Sequence, residues 1–115
     1  MNAQKFAEEW IESWNSHDLE RILSHYSADV EITTPMIKLA LGIDNGSLKG
    51  KAAVADYWQK ALHKIPDLHF ELYEITTGVN SIALFYKSVM DKKAIEVMFF
   101  DEHGKVNTMF AHYTE

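Results

Sequence analysis

An α+β domain, helices first and sheet last, is the fold this chain predicts, and three observations predict it. Phe6, Trp10 and Trp14 recur at helical spacing near the start. Ala52, Val54, Ala55, Tyr57, Trp58, Ala61, Leu62 and Ile65 repeat that periodicity ahead of Pro66. From residue 68 onward, apolar and polar side chains alternate between turn signals, which is the pattern of a strand meander. A curved antiparallel sheet that lays one face over the helices buries both sets of apolar residues.

Taken in order, residues 3–14 form an amphipathic helix whose apolar stripe is unusually aromatic. Asn15-Ser16-His17-Asp18 breaks it, and Asp18 is placed to cap a second helix carrying Leu19, Ile22, Leu23 and Tyr26. Val30 to Thr34 alternates and is β-branched, so it reads as a short strand stopped by Pro35. Residues 36–50 hold three glycines, a turn signal at Asp44-Asn45-Gly46-Ser47 and an apolar patch; a lid, a short extra strand and a dimer contact are all open to this segment. A third helix ends before Pro66. Strands follow over 68–76, 80–90, 93–100 and 105–113, reversing at Gly78-Val79-Asn80, Asp91-Lys92 and His103-Gly104.

With 115 residues the chain is one domain, 1–115, long enough for its own core. A net charge of -6, with its 11 basic residues scattered, argues against nucleic-acid binding by counterion release. The absence of cysteine removes disulfides, thiolate nucleophiles and cysteine-based metal centres. His17, His25, His63, His69, His103 and His112 show no ligand spacing, and no phosphate-cradling glycine motif occurs. The expectation is therefore no metal and no cofactor. With no signal core and no membrane-length apolar run, the expected location is the cytoplasm, without a membrane partner.

The chemical clue is Glu96, in the apolar run Ala94-Ile95-Glu96-Val97-Met98-Phe99-Phe100. A carboxylate among such neighbours must be paired, hydrogen-bonded, protonated or turned to solvent. It is either a pocket acid or a salt-bridged rim group, and alternation along a strand permits both. Met98 shares its face. His112 falls on the side of the last strand opposite Met109, Ala111 and Tyr113.

Four stretches carry a wider likeness: Trp10 to Leu19, Tyr26 to Pro35, Leu48 to Val54 and Ile95 to Lys105. Across nearly its full length the chain resembles the SnoaL-like and ketosteroid-isomerase-like part of the nuclear-transport-factor-2-like superfamily. The resemblance implies a cystatin-like cone: three N-terminal helices packed on a curved, mixed, mainly antiparallel β-sheet, an apolar pocket at the wide end, and a homodimer. Ketosteroid isomerases move a proton with a carboxylate base, while a tyrosine and a protonated aspartic acid stabilise the oxyanion. By that likeness Glu96 stands at the aspartic acid, Trp10 at the tyrosine donor and Thr34 at the base. Tyr26 matches a supporting tyrosine, Trp58 replaces another, and Met98, Met109, Ala111 and Tyr113 complete the implied pocket.

A neutral hydroxyl at position 34 cannot take a proton from carbon unaided. The base is then Glu31, if its strand phase is disturbed, or the substrate itself, or absent. The expected function is binding of a small apolar carbonyl compound, with isomerase, cyclase or dehydratase chemistry in which Glu96 and Trp10 donate to an oxygen that becomes negative. The rival expectation is a noncatalytic ligand-binding or dimerisation protein on the same fold.

Overall fold

A computed structural model describes residues 2–115. Helix α1 (Ala3–Ser16) starts where Asn2 accepts a hydrogen bond from the Lys5 backbone N–H at 3.0 Å, and ends on His17 in the left-handed region. Asp18 caps α2 (Leu19–Leu23), as its position predicts, by accepting from the Arg21 backbone N–H at 3.2 Å.

Tyr26 is not helical. It opens strand β1 (Tyr26–Thr33), four residues before the alternating run, and pairs with Val106. The reason for the difference is a break in register between Tyr26 and Glu31, which leaves Ala28 and Asp29 exposed in succession and hides the two-residue period.

Pro35 does end β1, but it also begins a helix. Proline suits the first helical position because its missing N–H is unpaired there anyway. Helix α3 (Pro35–Leu41) is capped by Thr34, whose hydroxyl accepts from the Met36 backbone N–H at 3.2 Å. Of the readings open for residues 36–50, the short strand is present as β2 (Ser47–Lys49), antiparallel to β1. Gly46 closes the segment: its φ is 65°, and a Cβ there would lie 2.9 Å from the Thr34 carbonyl oxygen. Among the described residues there are therefore four α-helices rather than three.

Helix α4 (Lys51–Lys64) ends before Pro66, as expected. Strands β3 (Glu71–Gly78), β4 (Ser81–Lys87), β5 (Lys93–Phe100) and β6 (Val106–Tyr113) complete the sheet, and a single 3-10 turn, Val89–Asp91, truncates β4. Leu68 and Phe70 precede β3 because α1 claims their backbone. Asn15 donates to the Phe70 carbonyl at 3.0 Å and accepts from its N–H at 2.6 Å, and a His17 ring nitrogen lies 2.7 Å from the Leu68 carbonyl.

Strand order is β2-β1-β6-β5-β4-β3; β1 and β6 run parallel and every other pair is antiparallel. Register breaks in three of these pairs bend the sheet. Its inner face contributes Val30, Ile32, Ile82, Leu84, Met98 and Met109 to a core completed by Ala7, Trp10, Val54 and Trp58 from the helices. No helix among the described residues is long and apolar enough to cross a membrane.

Candidate active site

The inner face of β4, β5 and β6 is arranged in rows across the strands. Glu96 stands opposite Leu84 on one side and Ala111 on the other. In the next row Ala94 stands between Tyr86 and Tyr113. Both tyrosines are thus diagonal to Glu96, within reach for long side chains. The two alanines leave the space that larger residues would fill. Thr34 lies one residue beyond the Thr33–Phe110 pair, which puts it across Ala111 from Glu96.

Above this floor is an open cavity of about 940 Å³. Glu96 lines it and is only 4% exposed. The Tyr86 hydroxyl donates to Glu96 Oε1 at 2.8 Å and is the carboxyl's one hydrogen-bond partner among the described residues. Removal from water pushes the Glu96 pKa up to about 7, against the opposing pull of the Tyr86 hydrogen bond. A carboxyl so placed is substantially protonated at neutral pH and can donate through its remaining oxygen.

Four tyrosines feel this group. Burial first, and the Glu96 charge second, raise the pKa of Tyr26, Tyr57, Tyr86 and Tyr113, so all four stay as neutral phenols. Tyr57, Tyr86 and Tyr113 line the cavity together with the buried hydroxyl residues Thr34 and Ser88. The opposite wall is aromatic. Trp10 stacks on Phe70 with ring centroids 5.8 Å apart, and Trp14 meets Trp58 edge-on at 5.0 Å. The buried polar groups gather at one end of the cavity, where they can orient a ligand by its oxygen, the aromatic wall holds the rest by area, and exposed Asp56, Gln59, Lys60, His63 and Lys64 of α4 complete the lining.

Six of the nine pocket residues expected from the sequence lie on the lining of this cavity: Trp10, Thr34, Trp58, Glu96, Met109 and Tyr113. Tyr26, Met98 and Ala111 do not reach it; they are buried in the layer that supports it. Trp10 spends its indole N–H on the Tyr26 hydroxyl at 2.8 Å. It therefore orients Tyr26, and the donor beside Glu96 is Tyr86. Glu31 is exposed, so the phase disturbance it needed does not occur. His112 is exposed on the outer face, as alternation predicts.

The model of the SnoaL-like domain matches residues 7–113. The chain belongs to the SnoaL-like family. Among solved structures it is similar to a SnoaL-like protein of unknown function from Burkholderia thailandensis, at 44% identity and a TM-score of 0.96, covering 98% of this chain and 94% of that one. It shares its fold with an NTF2-like protein from Cytophaga hutchinsonii, at 11% identity and a TM-score of 0.76 over 99% of this chain and 91% of that one. A protein with a cystatin-like fold from Methylobium petroleophilum is similar at 16% identity and a TM-score of 0.75, covering 98% and 76%. No curated protein matches the chain.

At Thr34, where the likeness to isomerases places a base, this SnoaL-like domain carries a neutral hydroxyl. The hydroxyl is engaged as the cap of α3. The one other carboxylate on the cavity lining, Asp56, is solvent-exposed and paired with Lys60 at 3.0 Å. Tyr86 and Ser88 escape the sequence reading, although both continue the inward alternation of Ile82 and Leu84. What the sequence lacks is the register that sets Tyr86 diagonal to Glu96.

Proposed function

We propose that this SnoaL-like protein binds a small apolar carbonyl compound in the cavity, with Glu96 as the proton or hydrogen-bond donor to its oxygen. The observation that carries this reading is a buried carboxyl with a pKa of about 7, held by Tyr86 and open to an aromatic-lined cavity. Donation to an oxygen that gains charge would serve isomerase, cyclase or dehydratase chemistry. Trp10, its indole N–H engaged by Tyr26, contributes its ring to the cavity wall rather than a donor.

The test is the affinity of a 4-alkylcyclohex-2-enone, whose oxygen can only accept, measured by calorimetry from pH 5 to 9. Binding to the natural chain weakens as pH rises through about 7, where Glu96 loses its proton. Glu96→Gln, whose amide donates at every pH, removes that dependence. A pH-independent affinity in the natural chain would sink the assignment.

A second, noncatalytic reading is favoured by the capping role of Thr34, which leaves the family's base position without a base. Incubation with a β,γ-unsaturated cyclohexenone separates the two readings, since conjugation would appear in the ultraviolet only if a proton is moved. We also propose that two copies pair through the outward face of β3 to β6. That reading is supported by the exposed Tyr73, Phe85, Ile95, Phe99 and Phe110.

A further inference from the structure

Two elements frame the mouth of the cavity, and both show apolar side chains to water. From α3, Leu39 is 80% exposed and Leu41 is 44% exposed; from the 3-10 turn, Met90 is 70% exposed. All three line the same cavity as Glu96. Isolated exposed leucines need no explanation, but three large apolar side chains on the rim of one apolar cavity form a surface continuous with its interior.

The backbone holds them there. Helix α3 is fixed at its start by the Thr34 cap and by Gly46, whose carbonyl accepts from the Thr34 N–H at 2.9 Å, while Ile37 is fully buried beneath it. Opposite, Met90 and Asp91 both have left-handed backbones, with φ of 56° and 57°, which residues other than glycine seldom adopt. The Ser88 N–H donates to the Lys92 carbonyl at 2.7 Å, and Lys87 pairs with Asp91 at 3.1 Å, closing the turn that carries Met90.

We infer that Leu39, Leu41 and Met90 are the specificity-determining jaws of the site, gripping the apolar tail of a ligand whose single oxygen lies at Glu96. The substrate class is then an amphiphile: a carbonyl head joined to an alkyl tail long enough to reach the rim. This rests on the proposed role of Glu96 for the head and adds the tail. Leu39 and Met90, on separate elements, give the tail two walls, and its burial covers the apolar surface that both leave in water.

A homologous series tests it. Calorimetric affinities of 4-ethyl-, 4-butyl- and 4-hexylcyclohex-2-enone would rise with length, by up to roughly fourfold for each methylene that is fully buried. Leu39→Asn and Met90→Ser, both at exposed positions and so tolerable to the fold, would weaken the hexyl compound more than the ethyl one. The slope of affinity against chain length would fall in each. If the ethyl compound binds with the Glu96-dependent pH profile and the longer members gain nothing, the jaws are overturned while the head site stands. The jaws are equally overturned if the slope is unchanged in both variants, or if the substitutions alter only the association of two copies. If no member of the series binds, head and tail readings fall together.

Discussion

The two faces of the same three strands each carry residues that depart from the usual rule of burial. On the inner face of β4, β5 and β6, a carboxyl and a phenol are enclosed: Glu96 is 4% exposed and Tyr86 is 1% exposed. One residue along each strand, Phe85, Ile95 and Phe110 lie 37%, 43% and 43% open to water. A chain optimised as a solitary domain would place these groups the other way round. Burying an ionisable group costs free energy unless it is paired or neutral, and exposing aromatic surface forgoes stabilisation. We propose an occupant for each face, a ligand over the inner one and a second copy against the outer one.

The largest expected effect lies on the inner face. Glu96 has a folded-state pKa of about 7 against a usual 4.5, so the folded protein holds its proton more tightly than the unfolded chain does. Its contribution to stability is therefore fully present below about 4.5 and is lost as pH rises through about 7. A shift of that size corresponds to about 3 kcal/mol. By urea denaturation the natural chain should lose about that much more stability between pH 5 and pH 8 than Glu96→Gln does, because the lowered pKa of His25, which acts in the opposite direction, is common to both. Equal pH dependence in the two proteins would place Glu96 in water and erase the contrast between the faces.

Phe110→Asp addresses the outer face. If two copies meet there, a charge at the centre should cost about 2 kcal/mol or more of association, as loss of a buried aromatic anchor does. Sedimentation would then show a shift from dimer to monomer with little change in monomer unfolding. A natural chain already monomeric at high concentration would leave the outer face without its proposed partner.

Tyr86→Phe sharpens the inner face. Deleting the 2.8 Å hydrogen bond to Glu96 should cost about 1 kcal/mol and move the Glu96 pKa further upward, since that bond favours the charged form. The midpoint of the enone affinity profile should move to higher pH, which a purely structural tyrosine would not cause. The smallest effect is expected at Thr34, whose replacement by alanine removes the cap of α3 and should cost about 1 kcal/mol by chemical denaturation.

Much of this fold is legible in the sequence because the chain states its periods clearly. The helix over residues 3–14, the helix ended by Pro66 and the strand over 93–100 all follow from repeating apolar positions and definite stops. Tyr26 reads as helical because a break in register hides the strand period around it. Helix α3 stays hidden because Pro35 serves two purposes, ending a strand and opening a helix, and only the second shows what the Thr34 hydroxyl is for.

The sequence alone carried the fold class, through local periodicity, and Glu96 as an exceptional group, through the mismatch between one carboxyl and its neighbours; the candidate lining came from the family resemblance. Tertiary contacts set who stands beside whom. Ten residues separate Tyr86 from Glu96, and the pairing of β4 with β5 makes them partners. Sixteen separate Trp10 from Tyr26, and their hydrogen bond removes the indole from the donor role expected of it. Hydrogen bonds span a few ångströms of space, and distances of that kind are set by register and packing, which no single stretch of sequence contains.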